Sequence, residues 1–160
     1  QAARDYACVG PVARACGLER DTRRSHPYAA YGEIDWHTSG YSGGDALARM
    51  EVRLQEIEQS FHIIRTCATW LLGHPGDIAC SAIEEATNCE GVDLGWVETP
   101  RGEAIHFVRI DKHGHIARVK FRTPSLINWQ PFHLTIAGIM MPDFAVNKAS
   151  WNLSVAGNDL

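Results

Sequence analysis

The longest regular pattern of hydrophobic and polar positions lies between Asp45 and Leu72. Apolar residues recur there at alternating steps of three and four: Leu47, Met50, Leu54, Ile57, Phe61, Ile64, Ala68 and Leu71. This is the period of one face of an α-helix, so the stretch predicts a helix of roughly 40 Å at about 1.5 Å per residue. Asp45 is a suitable N-cap, and Gly73 with Pro75 supplies a stop.

This apolar stripe permits two interpretations. The charged residues Arg49, Glu51, Arg53, Glu56, Glu58 and Arg65 lie away from it. The stripe is compatible with the seam of a coiled coil, since it follows a heptad. A single stripe beside two other structured regions instead favours packing inside one domain. We therefore expect the stripe to be buried within the domain, with a coiled coil as the alternative.

Period-two alternation replaces the helical period in the second half of the chain. Val92–Glu98, Ala104–Ile110 and Ile116–Arg122 predict strands, and a tight turn containing Gly114 joins the last two. In the third strand, alternate residues are expected to face the core and the solvent or a partner. The core-facing set is Ala117, Val119 and Phe121, and the outward set is Arg118, Lys120 and Arg122.

The remaining segments complete an α+β layout. Asp77–Asn88 predicts a short second helix, Asn128–Met140 a buried helix, and Met141–Leu160 a turn-prone tail. We expect a long amphipathic helix and a helical bundle packed with a small antiparallel sheet. The whole chain is then a single domain, residues 1–160. Its parts are an irregular arm over 1–44 that wraps the helix without building a core of its own, the long helix over 45–72, the sheet over 92–122, and a helix with a tail over 126–160.

Composition excludes several classes of protein. The 160 residues are 45% hydrophobic and carry a net charge of −4, which fits a globular domain and argues against nucleic-acid binding. The five cysteines form no CxxC pair, which argues for a reducing compartment and against a zinc ribbon. The eight histidines form neither HxxxH nor HExxH, so a metal site built from histidine is disfavoured.

Two loops carry candidate chemistry. Glu98-Thr99-Pro100-Arg101-Gly102 places a guanidinium on a stiff mount, where Arg101 either clamps an anion or forms a structural pair with Glu98. Pro124-Ser125 offers a hydroxyl that is either a site group or a helix N-cap. No nucleophile elbow, phosphate loop or dinucleotide fingerprint is present in the sequence.

The order of motifs along the chain resembles one family. Gly10–Gly17, Asp21–Arg23 and Pro27–Tyr31 are similar to the GPxxRASG…DLR…PYxxY run found in the D-type subunit of NADH-quinone oxidoreductase and in the large subunits of membrane-bound hydrogenases of the formate hydrogenlyase type. The match continues through the long helix, at Gly44–Arg49, Val52, Arg53, Glu56 and Ser60. The resemblance covers nearly the whole chain and implies the C-terminal part of that fold.

Two later motifs resemble the active site of the nickel–iron hydrogenases. Glu98–Gly102 with His106 is similar to EAPRG…H, and Pro124-Ser125 followed by Asn128-Trp129 is similar to the next active-site motif. In those enzymes the arginine lies beside the nickel–iron centre, and the hydroxyl contacts its diatomic ligands. By resemblance, Arg101, Ser125 and His106 are the candidate catalytic residues.

The chain departs from the hydrogenases at the metal ligands. Alignment of Ala149-Ser150 on the family segment ASxDPCxxCTD places Ser154 and Gly157 where the two cysteines stand. The other CxxC pair of the family lies in a region N-terminal to the sequence matched here. Nickel and iron of this kind need soft, anionic thiolates, which a hydroxyl and a glycine do not supply. We therefore predict no metal site, and stoichiometric nickel would restore the hydrogenase interpretation.

These observations lead to two functional interpretations. In the first, the chain is an electron-transfer subunit, or a fragment of one, in a membrane-associated NADH-quinone oxidoreductase or formate hydrogenlyase-like complex, and it is not active alone. It binds no cofactor of its own except a quinone in the vacated pocket, and an iron–sulfur cluster lies on a small partner subunit. It is cytoplasmic, at the periphery of the inner membrane. In the alternative, the chain is a non-catalytic structural or subunit-interaction domain that self-associates through the exposed helix stripe.

Overall fold

The computed structural model describes residues 1–74, 76 and 90–158. Three short helices open the chain: α1 (Ala2–Asp5), α2 (Gly10–Arg14) and α3 (Thr22–Ser25), followed by the long helix α4 (Ala46–Gly73). The strands are β1 (Gly91–Thr99), β2 (Gly102–Ile110) and β3 (Ile116–Arg122). The chain ends with α5 (Pro124–Trp129), a 3₁₀ helix (Gln130–Thr135) and α6 (Asp143–Trp151). The α+β class is confirmed, and the predicted helix over 77–88 lies outside the described residues.

The long helix α4 is confirmed in position and length. Its N-cap is Asp45, whose carboxylate accepts a hydrogen bond from the backbone N–H of Ala48 at 2.7 Å. The helix ends at Gly73, and His74 caps its C-terminus. None of the helices in the described residues has the length and apolar character that crossing a bilayer requires.

The expected burial of the α4 stripe is wrong for the residues that the structure describes. Leu47, Phe61 and Ile64 are 61%, 62% and 63% exposed, whereas the buried residues of the helix are Ala48, Arg49 and Val52. Residues two positions apart on a helix point about 200° apart, so the buried face with Val52 lies opposite the stripe with Leu54. Small side chains on that face let α2 and α6 approach α4 closely.

The sheet has the order β1-β2-β3, with both pairs antiparallel. β1 and β2 pair from Thr99–Gly102 at the tight turn to Gly91–Ile110 at the far end. The turn between β2 and β3 contains Gly114 at φ +78°, which only glycine adopts without strain. All three predicted strands are confirmed.

The expected inward face of β3 is wrong. Ala117 is exposed, as are Val119 at 37% and Phe121 at 45%. Within the sheet only Gly102 and Ala104 are buried, because α2 and α5 pack on β2 at the end next to the β1–β2 turn. The rest of the sheet extends beyond the helices, so alternation along β3 does not separate core from solvent.

The C-terminal third also differs from the prediction. The predicted helix over Asn128–Met140 breaks because Pro131 has no N–H and its ring would clash with the carbonyl of Ile127 in a continued α-helix. The chain tightens into the 3₁₀ helix instead. A turn with Gly138 at φ +80° follows. The predicted tail instead contains α6, whose Trp151 is buried.

The core of the protein is built largely by the segment expected to be an irregular arm. Cys8, Val12 and Ala13 pack with Trp151 in one cluster, and a second cluster joins Ala15 to α4. The N-terminal segment is therefore not a surface wrap, because its small apolar residues fill the space between α4, α6 and the start of β2. The cluster brings the β1–β2 turn and the chain after α6 to one end of the molecule.

Candidate functional site

The tight turn between β1 and β2 is held against the start of α2 by a crossing of two glycines. Gly102 has φ +126°, and a Cβ there would lie 2.7 Å from the backbone nitrogen of Gly10. Gly10 itself has φ +64°, and a Cβ on it would overlap the carbonyl oxygen of Arg101. Both positions thus require glycine, and the crossing fixes the backbone that carries Arg101.

Arg101 reaches from this turn to the chain after α6. Its Nε donates to the carbonyl oxygen of Asn152 at 2.7 Å, and its side chain is otherwise exposed. Glu98 does not pair with Arg101 among the described residues. It instead accepts from Arg14 at 2.9 Å and from the backbone N–H of Thr22 at 3.1 Å. The alternative in which Arg101 is a structural partner of Glu98 is therefore wrong.

Ser125 is buried at the start of α5 and faces the same C-terminal segment. Its Oγ accepts from the backbone N–H of Ser154 at 3.0 Å. The N-cap of α5 is Thr123, which accepts from the backbone N–H of Leu126 and donates to the carbonyl of Gly157. The alternative in which Ser125 is merely a helix cap is therefore wrong.

Residues 152–157 are the point where the two candidate motifs meet. Arg101 contacts this segment at Asn152, and Ser125 contacts it at Ser154. The Oγ of Ser154 accepts from the backbone N–H of Gly157 at 3.1 Å. Ser154 and Gly157, which align with the two cysteine ligands of the hydrogenases, thus both lie beside Ser125. We call this arrangement the C-terminal site.

His106 lies outside the C-terminal site. It is exposed on β2, where its ring packs edge-on against Phe121 with centroids 4.7 Å apart. It lies four positions along the strand from Gly102, a distance of about 13 Å at 3.3 Å per residue. The structure thus brings Arg101 and Ser125 to one segment and leaves His106 away from it.

The donor groups of the C-terminal site do not fit a thiolate-bound nickel–iron centre. Gly157 has no side chain, and the Ser154 hydroxyl is engaged with a backbone N–H. Burial raises the pKa of the Cys8 thiol to about 11, and burial likewise raises the pKa of Cys16, which disfavours the anionic form that binds metal. Within the described residues, no group of three or more His, Cys, Asp or Glu side chains is arranged to hold a metal ion.

A cleft of about 360 Å³ opens between α4 and the β1–β2 turn, next to the C-terminal site. Its walls carry charged side chains from four different segments of the chain. The charged residues are Arg14, Arg23, Arg53, Glu56 and Glu98, and the uncharged Pro100 and Asn152 also line the cleft. We call it the arginine cleft.

A buried ion-pair network forms the floor of the arginine cleft. Arg14, only 1% exposed, pairs with Glu56 at 2.6 Å, Glu98 at 2.9 Å and Asp21 at 3.4 Å. Arg23 pairs with the same aspartate at 2.7 Å. Burial raises the pKa of the Glu56 carboxyl, and the Arg14 guanidinium opposes that shift. The network joins α2, α4 and β1 through charges that would be costly to bury singly.

Sequence reasoning missed most of these charged groups. It also missed Arg49, which is buried on α4 and bonds Ser150, Asn147 and the carbonyl of Gly44, and so ties α4 to α6. A signal was present, because Arg49, Arg53 and Glu56 recur at steps of four and three and share one helix face. Charge usually marks an exposed surface, so this pattern alone does not indicate a buried network.

The whole chain matches one protein family. The family described as "Respiratory-chain NADH dehydrogenase, 49 Kd subunit" matches residues 1–159. The chain is 31% identical to a D-type subunit (numbered D 2) of the NADH-quinone oxidoreductase of Opitutus terrae, over 98% of its own length and 39% of that protein. It is 32% identical to the carbon monoxide-induced hydrogenase of Rhodospirillum rubrum, over 87% of this chain and 37% of that protein.

A third relative and a solved structure extend the same similarity. The chain is 30% identical to formate hydrogenlyase subunit 5 of Escherichia coli, over 88% of this chain and 24% of that protein. The fold matches a chain in the structure of the membrane-bound sulfane sulfur reductase, an archaeal respiratory membrane complex. That match has a TM-score of 0.86 at 27% identity and covers 98% of this chain and 43% of the other. The chain thus spans about two fifths or less of the length of these relatives.

Proposed function

We propose that this chain, which belongs to the family of the 49 Kd subunit of respiratory-chain NADH dehydrogenase, acts as an electron-transfer subunit, or as part of one, in a membrane-associated oxidoreductase complex. The complex is of the NADH-quinone oxidoreductase or formate hydrogenlyase type. The chain lies on the cytoplasmic face of the inner membrane, next to an iron–sulfur subunit and further subunits. The cluster belongs to that partner.

The observation that carries this proposal is the meeting of Arg101 and Ser125 on residues 152–157. Both residues stand where the resemblance to the hydrogenases places active-site groups. Ser154 and Gly157 stand at the ligand positions, where their chemistry does not suit nickel. A retained site without thiolate ligands supports transfer of electrons to or from an organic acceptor rather than to protons at a metal.

A quinone is the acceptor that this proposal favours. Reduction of a quinone places negative charge on its carbonyl oxygens, and a fixed guanidinium such as Arg101 stabilises that charge. The Ser125 hydroxyl accepts one backbone N–H and still carries its own proton for donation. The adjoining cleft, at about 360 Å³, is within the usual size of small-molecule sites.

The test is made on the complex purified from its own cells through a tag on this chain. We expect iron from the cluster-bearing partner, nickel far below one per chain, and turnover that depends on added quinone. Arg101→Gln is expected to lower that turnover at least about tenfold while the complex still assembles. Arg65→Gln, an exposed change on α4, is the matched control and is expected to leave turnover unchanged.

Two outcomes contradict this proposal. Nickel at about one per chain means that other residues hold the metal, and the hydrogenase interpretation returns. Quinone-dependent turnover that is equal in Arg101→Gln and the unmodified complex removes Arg101 from the acceptor site.

The second candidate function is a structural or subunit-interaction domain. The observation that favours it is the exposed apolar stripe on α4, where Leu47, Phe61 and Ile64 are more than half exposed. In that case the purified complex is expected to show no quinone-dependent turnover, and charge placed on the stripe is expected to release the chain from its partners.

A further inference from the structure

Arg53 on α4 has a donor that no described residue uses. Its Nη1 donates to the carbonyl of Arg49 at 3.2 Å, while its Nε is buried and has no hydrogen-bond partner among the described residues. Buried N–H groups are almost always bonded, because an unpaired one forfeits its hydrogen bonds to water. The Arg53 side chain is one of those that line the arginine cleft.

The arginine one turn earlier shows that this is not general for α4. Arg49 donates from Nε, Nη1 and Nη2 to Ser150, the carbonyl of Gly44, and Asn147. Its guanidinium also lies over the ring of Trp151, 5.1 Å from the centroid. All three nitrogens of the Arg49 guanidinium are therefore hydrogen-bonded, whereas the Nε of Arg53 has no partner among the described residues.

Arg101 supplies a second guanidinium beside the same cleft. Its Nε is bonded to the carbonyl of Asn152, a residue of the cleft wall, and its two Nη groups have no partner among the described residues. Thr99 and Pro100, which precede Arg101 in the turn, line the cleft themselves.

The charges around the cleft do not cancel. Arg14 and Arg23 share the carboxylates of Asp21, Glu56 and Glu98 in the buried network. No ion pair joins Arg53 or Arg101 to a carboxylate in the part of the chain that the structure describes. Among the described residues, four guanidiniums thus stand against three carboxylates. The two without a carboxylate partner are Arg53, which lines the cleft, and Arg101, which is bonded to Asn152 of the cleft wall.

We propose that Arg53 and Arg101 together bind one oxyanion in the arginine cleft. Two guanidiniums with N–H groups that no described residue uses match the paired oxygens of a carboxylate, sulfate or phosphate group. The oxyanion is either a small free anion or an acidic side chain of a partner subunit. This site goes beyond the proposed electron-transfer role, since it assigns Arg53 and a negatively charged ligand.

The test uses inorganic sulfate as the probe, on the purified complex that carries this chain. Peptide-resolved hydrogen–deuterium exchange follows residues 49–57 and 98–103 as sulfate replaces chloride at constant ionic strength. For a free anion we expect saturable slowing of exchange in both segments. Arg53→Gln and Arg101→Gln are each expected to weaken that effect at least about tenfold. Arg53→Lys, which keeps the positive charge but not the planar guanidinium, is expected to weaken it by a smaller factor.

The second arm distinguishes an acidic side chain as the source. In that case sulfate has no effect on the unmodified complex. Arg53→Gln and Arg101→Gln then each speed exchange in both segments, and the double variant speeds it no further than either single one. Arg65→Gln on the exposed surface of α4 changes neither readout.

The proposal is overturned if sulfate has no effect and the two substitutions act independently or not at all. It is also overturned if sulfate protection persists in Arg53→Gln and Arg101→Gln. Because these readouts do not involve turnover, failure of the oxyanion site and failure of the proposed electron-transfer role are separate results.

Discussion

Arg14 is the shared partner of three carboxylates in the buried ion-pair network. It is 1% exposed and lies within 3.4 Å of the carboxylates of Asp21, Glu56 and Glu98. Arg14→Met keeps the approximate length of the side chain and removes the charge, which leaves these carboxylates without their shared partner. We expect a loss of about 3–5 kcal/mol in the free energy of unfolding, measured by urea denaturation.

The matched control for this change is Arg118→Met on the exposed face of β3. Arg118 forms no ion pair among the described residues, so its loss is expected to change the free energy of unfolding by less than about 0.5 kcal/mol. Equal effects of the two substitutions would show that the network contributes nothing beyond ordinary surface charge.

Glu56 gives the same network a dependence on pH. Burial raises the pKa of its carboxyl above the ordinary value of 4.5, so between 4.5 and the folded pKa the folded state holds more protons than the unfolded state. Stability from this group is therefore complete below pH 4.5 and is lost as pH rises through the folded pKa. Relative to Glu56→Gln, the wild-type chain is expected to lose stability across that window.

The measurement is the free energy of unfolding of both chains at a series of pH values from about 4 to about 8. The difference between wild type and Glu56→Gln should fall as pH rises and then level off above the folded pKa. A difference that grows with pH would mean that the Arg14 guanidinium outweighs burial and holds the pKa of Glu56 below its ordinary value.

At the scale of elements, the β1–β2 turn is fixed by its contact with α2. Gly102→Ala places a Cβ 2.7 Å from the backbone nitrogen of Gly10 at a positive φ. We expect a loss of about 2–4 kcal/mol in the free energy of unfolding, from overpacking and backbone strain together. In the assembled complex the same change should displace Arg101 and lower quinone-dependent turnover.

Gly114→Ala separates these two contributions. Gly114 also has positive φ, but a Cβ there meets nothing within 4 Å. Gly114→Ala is expected to lower the free energy of unfolding by about 1 kcal/mol, the cost of the backbone conformation alone. If both substitutions cost the same, the close contact between Gly102 and Gly10 does not constrain the turn.

Elements with a local signal were predictable from the sequence, and packing between elements was not. The cap at Asp45, the helical period after it and the alternation around Gly114 are encoded within a few residues, so α4 and the three strands were placed correctly. Burial of Ala48 and exposure of Leu47 depend on which elements lie nearby, which periodicity does not specify. Pro131 is a local signal that the helix breaks, but the apolar residues around it favour a continuous helix.

The same division applies to the candidate site. Arg101 and Ser125 came from resemblance to a family, and the structure brings both to residues 152–157. Their roles there remain predictions. Arg53 and Glu56 face a cleft formed by α4 and the β1–β2 turn, so no pattern within α4 alone could assign them to it.

At the scale of the whole molecule, two apolar surfaces are left open in the described part of the chain. One is the α4 stripe, and the other is the free face of the sheet with Val119 and Phe121. The chain covers 39% of the length of the Opitutus relative, so more protein stands beside the matched part there. Large contiguous apolar areas of this kind are typical of surfaces covered by other protein.

The 160-residue chain on its own is therefore expected to bind a hydrophobic dye and to self-associate, as measured by light scattering. The double variant Leu54→Lys with Phe61→Lys places two charges on the stripe, where both side chains are about half exposed or more. It should lower the weight-average mass and the dye fluorescence without loss of stability, because neither side chain belongs to the buried clusters.

Thr66→Lys adds charge at an exposed polar position of α4 and should change neither quantity. A strictly monomeric wild-type chain that binds no dye would show that the stripe is not an association surface. The structural-subunit interpretation would then lose the observation that favours it.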